Sequence, residues 1–199
     1  MLPRFLVISA AAVVSIATGA GQSPPSYATW SARDAPPPLQ MVIARADLII
    51  VAVHDALLRE LGEGLARGGP RSALASCHTN ASGVSWRVAR GEGIASGRTS
   101  DRLRNPTNAA PAWAAPLVQA NAGRLARDVD GFAVDLGTKV GVLRPIVEQP
   151  MCAGCHGPVD RITPEVRQML ADRYPKDRAT GFTLGQIRGW YWVEMPKPD

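Results

Sequence analysis

At 199 residues the chain is long enough for one moderate domain with a sizeable core and some additional segments. Its 22 Lys and Arg against 17 Asp and Glu give a formal charge of +5; this modest excess, without interleaved aromatics, lacks the footprint of a nucleic-acid binder. Three cysteines, an odd number, cannot all pair with one another as disulfides.

Residues 1–20 read as a secretory signal peptide. Arg4 supplies a positive n-region, Phe5 to Ile16 an apolar h-region, and Thr18-Gly19-Ala20 a small-residue cleavage site. An uncleaved anchor is the alternative, but the apolar run is shorter than the roughly 18 residues of a spanning helix, so cleavage and no lasting membrane span are expected. Removal of Arg4 leaves a charge of +4, and the mature protein is expected to be periplasmic or otherwise exported. Residues 21–38 contain Ser23-Pro24-Pro25-Ser26 and Pro36-Pro37-Pro38 and read as a Pro-rich linker, leaving a single domain over 39–199.

From Leu39 to Arg67, Val42, Ala46, Ile49, Val53, Ala56, Leu57 and Leu61 recur at helical spacing, and Gly62, Gly64 and Gly68-Gly69-Pro70 end the run. His54 lies within it and reads as a partly buried structural histidine. A second helix is predicted from Pro70 to about Ala89. There Leu74, Cys77, Ala81, Val84 and Val88 share one face, which turns Cys77 inward and His78 about 100° away from it.

Next comes a loop-rich basic stretch with Arg98, Arg102 and Arg104. Arginine forks suit carboxylates, although a solvated basic loop has the same composition. A short helix is expected around Trp113 to Arg127, and then a hairpin from Val129 to Val147 about Gly137-Thr138.

The hairpin leads into Cys152-Ala153-Gly154-Cys155-His156. Cys-X-X-Cys-His is the pattern of a c-type haem attachment site. Two thiols three positions apart reach the two vinyl groups of one porphyrin as thioethers, and the adjacent imidazole binds the iron. A redox dithiol or half a zinc site competes for the same pattern. Zinc needs four ligands, for which only His54, Cys77 and His78 remain, and a thioredoxin-like motif calls for a βαβ pattern that is missing. One covalent haem c is therefore expected. Beyond the motif, Thr163-Pro164-Glu165 opens a helix that Tyr174-Pro175 closes, and Phe182 to Val193 reads as a terminal strand pair. This order of elements favours an α+β domain with an antiparallel sheet.

If haem takes Cys152 and Cys155, Cys77 is left unpaired, either buried as a small apolar residue or bound to iron. His78 and Met195 are the other candidates for the sixth ligand, Met195 because a Met-Pro pair also follows the motif in small soluble cytochromes c.

Several stretches together resemble the PAS-like mono-haem c domain family, first recognised in cyanobacteria and found as the exported sensory part of signalling proteins. They are Ala73 to Ala81, Gly97-Arg98-Thr99-Ser100, Arg104-Asn105-Pro106, Trp113, Arg144-Pro145-Ile146, Cys155-His156-Gly157, Tyr174-Pro175, Gly181-Phe182 and Arg188-Gly189. Ala114 stands where that family usually has glutamate. The resemblance implies a PAS-like antiparallel sheet flanked by helices, with haem iron held by His156 and by Cys77. Arg98, Arg102 and Arg104 are the candidates for the two haem propionates.

Thiolate ligation implies a low-potential haem, and release of Cys77 on reduction opens a site for carbon monoxide or nitric oxide. The expected function is a redox or gas sensor without turnover. An electron-transfer cytochrome c is the alternative. No output segment follows Asp199, so a redox partner or a separate signalling protein is expected to read the signal.

Overall fold

A computed structural model describes residues 27–89 and 94–197, with the side chains of 76–82 and 84–89 excepted. The expected signal peptide lies outside the described residues, as do the side chains of Cys77 and His78. The long helix α1 (Pro37–Ala89) breaks at Gly68-Gly69, where Gly69 takes φ 62°, a left-handed conformation that suits glycine. Pro70 then opens the second helical half with a nitrogen that has no proton to donate, so the break falls where the sequence predicts. Gly62 and Gly64 do not end the first half. At Gly64 a β-carbon would stand 2.6 Å from the Ala73 backbone, so the second half folds back closely on the first there.

Five strands form one antiparallel sheet: β1 (Thr29–Ser31), β2 (Ala95–Thr99), β3 (Phe132–Asp135), β4 (Lys139–Val147) and β5 (Ile187–Pro196), in the order β1-β3-β4-β5-β2. The β3–β4 hairpin turns at the expected Gly137-Thr138. The terminal segment is a single strand that pairs with β4 and β2, so the expected strand pair is corrected: the partners of β5 come from far earlier in the chain. Two polar stretches also hold edge strands. Thr29–Ser31, inside the stretch read as linker, pairs with β3, and the folded domain therefore begins before Leu39. Ala95–Thr99, inside the stretch read as loop, pairs with β5.

Side-chain alternation along β4 and β5 builds a core on each face of the sheet. Val140, Val142, Ile146, Tyr191, Val193 and Met195 pack on one face against Val42, Ile43, Ala46, Ile50 and Val53 of α1. Leu143 and Trp190 face the other way, toward Trp113, Ala114 and Val118 around α2 (Ala115–Ala120), which is shorter than the predicted helix. Arg144, on the α1 side of β4, donates from Nε and Nη2 to the two carboxylate oxygens of Asp47, both at 2.7 Å. This fork ties helix to sheet. The chain is thus α+β, with a long N-terminal helix and helices flanking an antiparallel sheet.

Candidate functional site

The Cys-X-X-Cys-His run leaves β4 through a tight turn (Pro150–Cys152) and enters a single helical turn, α3 (Ala153–His156). Cys152 is buried and Cys155 half-buried. The turn is stapled to a later segment by backbone bonds from Phe182 N to the His156 carbonyl (3.0 Å) and from Gly181 N to the Gly157 carbonyl (2.8 Å). Helix α4 (Pro164–Arg173), capped by the Thr163 hydroxyl as its sequence predicts, supports the motif through Val166, Met169 and Leu170, which with the preceding Ile162 pack on Leu74 and the half-buried Cys155.

His156 is fixed in one tautomer. Its Nδ1 donates to the carbonyl oxygen of Ala179 at 2.8 Å, so the neutral ring presents its lone pair on Nε2. Burial, and next the charges of Arg104 and Arg188, hold the imidazole well below its usual protonation range. A neutral imidazole with a directed lone pair is the form that ligates a metal. Nε2 makes a long contact, 3.4 Å, with Arg104 Nη1.

Arg104 clamps the motif. Its Nε donates to Asp177 Oδ2 at 3.0 Å, and its Nη2 donates to the carbonyls of Cys155 (2.6 Å) and Ala179 (3.2 Å). Asp177 Oδ1 in turn accepts from Ala179 N at 2.7 Å, which holds the carbonyl that orients His156. Arg102 donates to the Thr180 carbonyl at 2.9 Å and lies 3.6 Å above the Phe182 ring. Arg102 and Arg104, both picked out for carboxylate binding, are therefore engaged mainly with protein. The sequence showed the charge, but long-range partners at 177–182 decide how it is used.

All six of Cys152, Cys155, His156, Arg98, Arg102 and Arg104 border one cavity of about 220 Å³. The facing wall is apolar: Leu57, Leu58 and Leu61 from the first half of α1, and Ala73 and Leu74 from the second. Position 77 follows Leu74 by three residues and Ala73 by four on the same helix, which is the spacing of one face. His54 also borders the cavity, half-buried, with Nδ1 3.1 Å from the Tyr191 hydroxyl, as befits the structural role predicted for it. Met195 is buried in the sheet core opposite Val140 and is not part of the wall, which removes it as a candidate ligand.

Residues not singled out as ligands from the sequence complete the polar rim. Thr99 is buried with a hydroxyl that has no hydrogen-bond partner among the described residues, and the Nε of Arg188 is buried and likewise lacks one. Both border the cavity. Unsatisfied buried donors beside an apolar slot suit a flat apolar ligand with anionic groups. The donor set thus fits haem: paired thiols, one neutral imidazole, an apolar wall and cationic or hydroxyl donors for carboxylates. Among the described residues, no group of three or more His, Cys, Asp and Glu side chains is arranged to hold a metal ion.

The sequence profile of the family described as Tll0287-like: Tll0287 matches residues 21–196. In fold, the chain is similar to a crystal structure of the cyanobacterial heme-protein Tll0287, with a TM-score of 0.59 at 21% identity over 83% of this chain and 99% of that one. No curated protein sequence matches the chain.

Proposed function

The chain belongs to the Tll0287-like family, and from that premise we propose that it is an exported mono-haem c-type cytochrome acting as a low-potential redox or diatomic-gas sensor. The observation that carries this reading is the convergence of both motif thiols and the oriented His156 on one cavity whose far wall is the helix bearing Cys77. A haem bound there supplies one-electron chemistry and, when its distal position is vacated, a site for carbon monoxide or nitric oxide.

Cys152 and Cys155 hold the group covalently, and His156 offers Nε2 as the proximal ligand. Cys77 is the proposed distal ligand, supported by the buried Ala73 and Leu74 one turn before it. Arg98, Arg102, Arg104 and Arg188 supply positive charge for two carboxylates, with Thr99 and Arg188 having buried donors unspent. The role is binding and signalling without turnover, and the reader of the signal is a redox partner or a separate signalling protein. Residues 1–20 direct export.

The test is low-temperature EPR of the ferric protein, after pyridine-haemochrome assay, with Cys77→Ala and His78→Ala beside wild type. A low-spin thiolate signal lost in Cys77→Ala and kept in His78→Ala is expected. A signal unchanged in Cys77→Ala ends that assignment. Failure of the reduced protein to bind carbon monoxide removes ligand release, and a positive midpoint potential favours an electron carrier.

A further inference from the structure

Glu148 follows directly on β4, on the way into the Cys-X-X-Cys-His turn. Its side chain is fully buried, and neither carboxylate oxygen accepts a hydrogen bond among the described residues. Its backbone is held on both sides, by Glu148 N to the Gln186 carbonyl (2.8 Å) and Gly185 N to the Glu148 carbonyl (2.9 Å). Arg188 Nε, from β5, lies 3.6 Å from Oε2, an ion pair too long for a hydrogen bond. Arg104, from the segment after β2, is the second positive charge acting on it. Both arginines border the cavity.

We propose that Glu148 is a proton-binding site coupled to the electron held in the cavity, an inference that rests on the haem reading. A one-electron donor reduces bound ferric haem to ferrous haem, and one solvent proton adds to a Glu148 oxygen to form an O–H bond. The proton's bond to the hydronium oxygen breaks as the carboxyl O–H forms, and charge in the buried region is conserved.

The sign follows from the geometry. Burial opposes the carboxylate, while Arg188 and Arg104 favour it, and these opposed effects leave its pKa at about 7. Those two arginines border the cavity and also act on Glu148. An electron arriving there offsets part of the positive potential that they impose on Glu148, and proton affinity rises. A fully hydrogen-bonded carboxylate would resist this change; Glu148 has no such bonds among the described residues.

The experiment is a dithionite titration of the haem-loaded protein from acid to alkaline pH, for wild type, Glu148→Gln and Glu148→Asp, with haem content checked by pyridine haemochrome. The wild-type midpoint potential is expected to fall through neutrality, toward a tenfold change in the reduction equilibrium per pH unit, or about 59 mV for a one-electron couple. Glu148→Gln is expected to flatten that slope, and Glu148→Asp to keep it. A pH-independent wild-type potential, or a slope unchanged in Glu148→Gln, overturns the proposal while leaving the haem reading intact. Absence of haemochrome overturns both. If Glu148→Gln does not fold, the reduced-minus-oxidised infrared spectrum of wild type decides: a carboxyl band gained on reduction supports the proposal, and its absence overturns it.

Discussion

Arg104 Nε lies 3.0 Å from Asp177 Oδ2, with the two side chains only 14% and 11% exposed. The same guanidinium reaches the Cys155 and Ala179 carbonyls, so one side chain joins the segment after β2, the haem-motif turn and the loop that orients His156. Breaking a buried pair leaves a charge without its partner. Arg104→Ala is expected to lower the unfolding free energy by about 3–5 kcal/mol. Arg104→Lys is expected to recover part of it, since an ammonium keeps the charge without the fork. Urea denaturation checks both, and a loss under 1 kcal/mol in Arg104→Ala contradicts the clamp.

How far the sequence discloses this fold depends on where the instruction is local. The break at Gly68-Gly69-Pro70, the Gly137-Thr138 turn and the Thr163 cap are carried by residues adjacent in the chain, and the predicted elements match the structure there. The edge strands Thr29–Ser31 and Ala95–Thr99 have no alternating apolar pattern, and only backbone pairing with distant strands makes them strands. The site divides in the same way. The motif thiols and histidine are legible because their spacing is itself the chemistry. Thr99 and Arg188 reach the cavity by sheet register, and Glu148 lies buried beside Arg188; that their polar atoms are buried without hydrogen bonds is not written in local spacing.

The proposed covalent attachment and iron ligation are separable in variants of the motif. With two thiols on successive turns, Cys152→Ser/Cys155→Ser is expected to lose haem that survives denaturing electrophoresis. His156→Ala is expected to retain some covalent haem but to lose the low-spin ferric spectrum. Haem staining of the gel together with the visible spectrum distinguishes the two. Stain persisting in the double variant rules out thioether attachment at these positions.

Two glycines are expected to answer oppositely to alanine. Gly97 in β2 pairs with Trp192 in β5, and a β-carbon there would stand 2.6 Å from the indole ring. Gly97→Ala is expected to cost about 1–3 kcal/mol as an overpacked site. Gly62 lies in the first half of α1 with nothing within 4 Å of such a β-carbon. Gly62→Ala is expected to stabilise by about 0.5–1 kcal/mol, because alanine is the better helix former and restricts the unfolded chain. Thermal unfolding of the pair is the measurement, and a destabilised Gly62→Ala refutes the open-space reading.

Glu148 also sets a pH dependence of stability. Its carboxyl is raised from an ordinary 4.5 to about 7, first by burial, with Arg188 and Arg104 acting against the rise. An acid whose folded pKa is raised binds more protons folded than unfolded between those two values, so its contribution to stability falls as pH rises through that window. The contribution is undiminished below about pH 4.5 and levels off above about pH 7, with a total loss on the order of 3 kcal/mol. Other carboxylates act in the opposite direction, as at Asp135, whose pKa is lowered by Lys197, so the total curve of wild type does not isolate Glu148. The difference between wild type and Glu148→Gln does. Glutamine is uncharged at every pH, and the stability of wild type relative to it is expected to decline from pH 4.5 to 7 and then stay flat. Urea midpoints of the two proteins across that range are the measurement; a constant difference, or one that grows with pH, contradicts a neutral buried Glu148 at acid pH.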